Sequence, residues 1–170
     1  MTSLSPLFFS TFEVGKQAFY RSALSYAIVN LKPIVPGHVL VIPTRVVPRL
    51  ADLNDSELAS LMGSVQRVGK VVERAYGADA LTIACQDGKA AGQSVGHVHF
   101  HILPRISAGD RFSNNDEVYP ALERSAVSLA SDMKGDVQPL KVDADENRTP
   151  RSKEEMEEEA SWLRGFFQQS

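Results

Sequence analysis

One cysteine, Cys85, in 170 residues excludes an intrachain disulfide and any CxxC metal or redox pair. A lone thiol suits a reducing compartment. Excess charge of one sign is also missing. The 18 Lys and Arg stand against 21 Asp and Glu, a net −3, so there is no whole-surface basic footprint for nucleic acid. No apolar run approaches the ~18 residues that span a bilayer, and no membrane partner is expected. Residues 1–10 (MTSLSPLFFS) have no basic start and too short an apolar run for a secretory signal. The expected location is the cytoplasm, with the nucleus open to a chain of this size. There is no repeat at a 20–50-residue period, no Walker loop and no GxGxxG. What is present, 43% hydrophobic and 23% charged residues, is the composition of one soluble globular domain.

Composition shifts once along the chain. Residues 1–131 carry 12 basic and 11 acidic residues, whereas 132–160 carry 5 and 10. Residues 132–150 show no apolar period, and 106–150 reads as a long mobile loop or insertion. The remainder alternates strands and helices within one domain spanning 1–170. Ala18–Tyr20 and Tyr26–Val29 flank a hairpin turn. His38–Ile42 is a strand closed by Pro43, Leu81–Cys85 another, and Val95–Leu103 the last. Asn54 and Glu57 form a capping box for a long helix. Leu58, Leu61, Met62, Val65, Val68 and Val72 supply its apolar stripe, and Gly77 ends it. Ser152 and Glu155 repeat the box ahead of a C-terminal helix at 152–168, with Met156, Ala160, Leu163 and Phe167 inward. The pattern predicts an α+β fold, a predominantly antiparallel sheet packed by one long helix and a C-terminal helix.

Three of the four histidines occupy alternate positions: His97, His99 and His101. On a strand they share one face, and Val98, Phe100 and Ile102 share the opposite, core-facing one. The wet face of such a strand ordinarily carries Thr, Lys or Glu. Three imidazoles there point to chemistry, and His38 starts a strand that pairing can bring beside them. Two chemistries fit. One is a metal site, for which two of the three rings with His38 have the reach, but three rings from one straight strand do not. The other is nucleophilic attack on phosphorus by a neutral imidazole, with a neighbouring histidine as proton donor. The preceding Gly92-Gln93-Ser94-Val95 offers backbone N–H groups, an amide and a hydroxyl to an anion.

Gln86-Asp87-Gly88, Ala91–Val95 and His97–Arg105 together resemble the signature of the histidine triad family. Asn30, Lys32-Pro33 and Pro36–Val41 resemble that family's earlier block, and the likeness runs to about Tyr119 and resumes over Ser152–Gln168. Leu103-Pro104-Arg105, Gly109-Asp110 and the lack of a Trp-Pro tail place the likeness with the fragile histidine triad branch, the dinucleoside triphosphate hydrolases. The resemblance implies that His99 attacks the α-phosphorus of an Ap3A-like substrate. A nucleotidyl–histidine intermediate would form, and water would release AMP after ADP had left. It implies that His97 orients His99 through its carbonyl, and that His101 and His38 bind phosphate and pass protons. Gln86, Gly92, Gln93, Ser94 and Val95 would hold the phosphates, Asn30 the ribose, and Phe8 would line the adenine pocket. A divalent cation, Mg²⁺ or Mn²⁺, would ride on the substrate phosphates with no tightly bound protein metal. A homodimer is also implied. Hydrolysis of adenosine phosphoramidate or other nucleotidyl bonds, or a slowly turning nucleotide-binding signalling module, are the alternatives. The insertion at 132–150 and Gly96 before the triad depart from the pattern.

Overall fold

The computed structural model describes residues 5–112, 114–125 and 150–168. A hairpin of two short strands, β1 (Phe8–Phe9) and β2 (Phe12–Glu13), precedes the main sheet. That sheet has five strands: β3 (Ala18–Arg21), β4 (Ser25–Val29), β5 (Val39–Pro43), β6 (Ala80–Cys85) and β7 (Phe100–Arg105). The order is β3-β4-β5-β7-β6, and every pair is antiparallel. Among the described residues there are three α-helices: α1 (Asp55–Ala75), α2 (described over 118–125) and α3 (Lys153–Phe167).

Both capping boxes form. Asn54 accepts from the Glu57 N–H at 2.9 Å, and Glu57 accepts from the Asn54 N–H at 2.9 Å. Ser152 and Glu155 do the same for α3. Each satisfies amide groups that a helix start leaves without an intrahelical partner. Gly77 and Ala78 donate to the carbonyls of Arg74 and Glu73, a Schellman closure of α1. The stripe of α1 is narrower than its sequence suggests. Leu61, Val65, Val68 and Val72 are buried, while Leu58 and Met62 lie off the seam, 40% and 44% exposed.

Strands β4 and β5 are buried along their whole length, because the sheet is covered on both faces. On one face Ala27, Val29, Val39, Val41 and Ile102 meet the apolar sides of α1 and α3. On the other, Tyr26, Ile28, Leu40 and Ile42 meet Leu7, Phe9, Val14 and Val95. His101 pairs with Leu40 and therefore lies on this second face. The wet face expected for the histidines is instead roofed by the N-terminal hairpin.

Two expectations need correction. The last strand does not start at Val95, because its ladder begins at Phe100, opposite Val41. Ahead of that the backbone turns aside: the Val98 N–H goes to Val47 O at 2.9 Å and the His97 N–H to Val95 O at 2.8 Å. The long loop read over 106–150 is structured in its first part. A 3₁₀ turn at Asn115–Glu117 leads into α2. Val118, Ala121 and Leu122, at helical spacing, pack on Phe112, Leu103, Ile34 and Val35. Residues 126–149 lie outside the described part, and with them most of the 132–150 insertion.

Candidate active site

The backbone turn before β7 sets the histidines in a row. His99 and His101 have ring centroids 4.9 Å apart, and His101 and His38 5.2 Å apart. All four imidazoles are 5% exposed or less. Their protonation pattern follows from partners that can play only one role. The His97 Nε2–H donates to the Pro43 carbonyl at 2.8 Å, and its Nδ1 accepts from the Ser10 N–H at 3.0 Å. Both nitrogens are spent, so the ring is a neutral structural piece. Its carbonyl accepts from His99 Nδ1–H at 2.8 Å. That bond puts the His99 proton on Nδ1 and the lone pair on Nε2.

The other pair is ordered from the backbone too. The Ile34 N–H donates to His38 Nδ1 at 3.3 Å. The His38 proton is then on Nε2, 3.0 Å from His101 Nδ1. His101 must accept there, which leaves its proton on Nε2, a buried donor with no partner. Asn30 turns inward rather than toward open space. Its Nδ2 lies 3.3 and 3.2 Å from the two His38 nitrogens, and its Oδ1 accepts from the Lys32 N–H at 3.2 Å.

Burial keeps His97, His99 and His101 neutral. Burial pushes His99 down to about 4 against the pull of the His97 carbonyl. Burial, then charge on His99 and His38, holds His101 well below the ordinary imidazole value. Burial lowers His97 as well. At pH 7 the His99 lone pair is free of a competing proton.

Residues 86–95 form the rim. Gly92 is left-handed, with φ 89°, and a methyl there would sit 2.7 Å from Gln86 Nε2. Gln86 Oε1 and Ser94 Oγ are buried without partners. Together with His101 Nε2 they are the three such side-chain atoms among the described residues. Buried polar groups are nearly always satisfied, so these three open atoms are the groups left available to a ligand. Gln93 has a different part. Its Oε1 accepts from the Gly88 N–H at 2.9 Å and its Nε2 donates to Pro48 O at 2.7 Å, so it braces the loop. Val95 is buried in the core beneath. Asp87 fastens the same loop, accepting from the Leu50 N–H at 3.0 Å and pairing with Arg49 at 3.0 Å.

Phe8 is 42% exposed; its neighbour Phe9 makes the histidine contact. The Phe9 ring is 5.1 Å from His99, edge-on, and 5.7 Å from His97. The sequence reading missed Phe9, Ser10 and Pro43. The two backbone contacts carry no residue signature. Phe9 was marked only by the apolar pair Phe8-Phe9. Among the described residues no three His, Cys, Asp or Glu side chains are arranged to hold a metal ion.

A family model for the HIT domain matches residues 11–108. The chain belongs to the HIT domain family. Its HIT domain has curated relatives covering most of its length. A Schizosaccharomyces pombe protein named bis(5'-nucleosyl)-tetraphosphatase [asymmetrical] is 52% identical over 95% of this chain and 94% of its own. The Arabidopsis thaliana bifunctional bis(5'-adenosyl)-triphosphatase/adenylylsulfatase FHIT is 45% identical over 89% of this chain and 78% of its own. The Dictyostelium discoideum bis(5'-adenosyl)-triphosphatase is 44% identical over 91% and 87%. Among solved structures, Caenorhabditis elegans NitFhit superposes with a TM-score of 0.70 at 36% identity, covering 98% of this chain and 31% of that one. The Plasmodium falciparum diadenosine triphosphate hydrolase gives 0.72 at 25% identity, over 99% and 88%. These HIT relatives share the α+β architecture that the sequence predicts.

Proposed function

We propose that this HIT domain hydrolyses dinucleoside polyphosphates, splitting Ap3A into AMP and ADP. The observation that carries the reading is the His99 Nδ1–H bond to the His97 carbonyl. It leaves Nε2 as a neutral nucleophile. Attack by Nε2 on the α-phosphorus forms a P–N bond and breaks the P–O bond to ADP. The leaving terminal phosphate has a second pKa of about 6, so it departs as an anion and needs hydrogen bonds more than a proton. His101 Nε2–H and the Ser94 hydroxyl, both unpartnered, are donors for that charge. Gln86 Oε1 accepts as it stands, and turning the amide over presents its N–H₂ to phosphate instead. Water then attacks phosphorus, the P–N bond breaks, AMP leaves and the water proton passes to solvent. His99 returns to its starting tautomer.

Asn30 would reach the ribose only by releasing His38, and Phe8, exposed beside the buried Phe9, would offer its ring to a base. A divalent cation would arrive on the substrate phosphates and neutralise them. The dimer would use the open edge of β6, where Ile83 is 47% exposed, with Met62 of α1. A second reading, preference for a four-phosphate chain, is favoured by the name of the 52%-identical relative.

The test is incubation with Ap3A, Ap4A and adenosine phosphoramidate in Mg²⁺, with products separated by chromatography. AMP and ADP from Ap3A, lost in His99→Asn by at least about 10³-fold, is the expected result. Faster turnover of Ap4A moves the assignment to the second reading. Exclusive turnover of the phosphoramidate, or full activity in His99→Asn, refutes the proposal.

A further inference from the structure

The loop between β4 and β5 (residues 30–38) carries both Asn30 and His38, and its backbone supplies the N–H that fixes the His38 tautomer. It has few regular hydrogen bonds of its own. Its shape is held from outside: Arg111 Nη1 donates to the Ile34 carbonyl at 2.8 Å, Ile34 and Val35 pack against α2, and a further network reaches both ends of the loop from the start of α3.

Arg151 sits immediately before the Ser152 cap of α3. Its Nε donates to the Asn30 carbonyl at 3.2 Å, its Nη2 donates to the same oxygen, and its N–H goes to Leu31 O at 3.1 Å. Its Nη1 pairs with Glu159, about two turns into α3. Glu159 in turn accepts from the Tyr76 hydroxyl. The Tyr76 ring lies flat against Gly37, so closely that a methyl on Gly37 would come within 2.5 Å of Cδ2. The network therefore touches the loop at both ends, Asn30 and Gly37, the two positions that flank His38's support. The Arg151 and Glu159 side chains are 22% and 16% exposed. Partial burial makes their hydrogen bonds less screened than surface pairs.

We propose that Arg151, through Glu159 and Tyr76, is a positioning residue that fixes the 30–38 loop and thereby holds the His101 Nε2 proton toward the substrate phosphates. The chemistry is simple. If the two ends of the loop shift, the Ile34 N–H bond to His38 Nδ1 weakens; Asn30 Nδ2, 3.3 and 3.2 Å from the two ring nitrogens, favours neither, and the second tautomer gains population. The other tautomer accepts at Nε2, so His101 must donate from Nδ1. Its Nε2 then faces the phosphates as a lone pair, and a donor becomes a repulsive acceptor. A planar guanidinium suits the position because it grips one carbonyl with two N–H groups and a carboxylate with a third. The inference rests on the hydrolase reading for its kinetic arm only.

Two measurements separate the possibilities. The first is the ¹⁵N spectrum of the histidine rings in the unliganded protein, which reports tautomers without any substrate. The second is Ap3A hydrolysis, resolved into kcat and KM. In Arg151→Ala the His38 and His101 ring nitrogens should move toward a tautomer mixture. kcat should fall about tenfold, part of the 10²–10³ that one lost oxyanion donor costs, with KM changing less than kcat. Arg151→Lys, which keeps the charge but not the fork, should recover only part of the loss. Glu159→Gln and Tyr76→Phe should shift the same ring signals, and they keep the test open if Arg151→Ala does not fold. Ring spectra identical to wild type in the folded variants overturn the proposal, even if thermal stability falls. If wild-type protein turns over no dinucleotide, the hydrolase reading fails while the ring spectra still decide the positioning role.

Discussion

Burying neutral imidazoles makes the fold sensitive to mild acid, and the size of the effect is set by His99. Its pKa is about 4 in the folded chain against 6.5 for an unperturbed ring. The folded value is depressed, so the unfolded chain binds the proton first as pH falls. His99's contribution is complete above pH 6.5, declines below it and is gone below about 4. The difference between the two values corresponds to ~3 kcal/mol, of which ~2 kcal/mol is lost by pH 5. His97 and His101 are lowered in the same direction and add to the loss. The depressed carboxylates contribute at lower pH, Glu57 at about 2, so the window from 6.5 to 5 isolates the histidines. The assay is urea unfolding at pH 8, 6 and 5 for wild type and His99→Asn. The asparagine amide keeps a donor for the His97 carbonyl but has no proton to gain. Wild type should lose ~2 kcal/mol more than the variant between pH 8 and 5. Parallel curves would show that His99 is not neutralised by burial, and the account of its lone pair would go with it.

Other outcomes follow from close contacts and orphaned atoms. Gly37→Ala drives a methyl to 2.5 Å from the Tyr76 ring at φ 79° and should destabilise by at least ~2 kcal/mol; unchanged urea midpoints would mean the loop is not held rigidly. Ser94→Ala removes a buried hydroxyl with no partner, so unliganded stability should hold or rise slightly while KM for Ap3A increases; a loss of stability with unchanged KM would contradict a phosphate-facing role.

The parts of the fold legible in the sequence were those with local signatures. Asn54 and Glu57, and Ser152 and Glu155, mark helix starts because capping is decided within four residues. The alternation of His97, His99 and His101 revealed the chemistry because a period of two survives even where the chain leaves the ladder. The onset of β7 was misplaced because non-local acceptors decide it: Val47 O takes the Val98 N–H and Pro43 O takes the His97 ring. The start of α2 was missed because its apolar stripe, Val118, Ala121 and Leu122, is too short to stand out beside the polar stretch after it. Asn30 was singled out in the sequence as a ribose contact, but its inward turn onto His38 was not legible there. That orientation depends on Lys32, on Ile34 and on an arginine more than a hundred residues away.

The strand order has a consequence for how the chain acquires activity. Among the described strands β7 is the last to be made, yet it lies between β5 and β6. Until it arrives, β5 has one open edge and β6 has no neighbour in the sheet at all. A nascent chain ending before residue 100 would therefore leave bare two edges that the finished sheet covers, one on β5 and one on β6, the kind of surface on which chains stick to one another. Insertion of β7 closes both at once and in the same movement delivers His101 to His38. Catalytic competence and the covering of those two inner edges would appear together during refolding. Recovery of turnover after dilution from denaturant would then report the closing of the sheet.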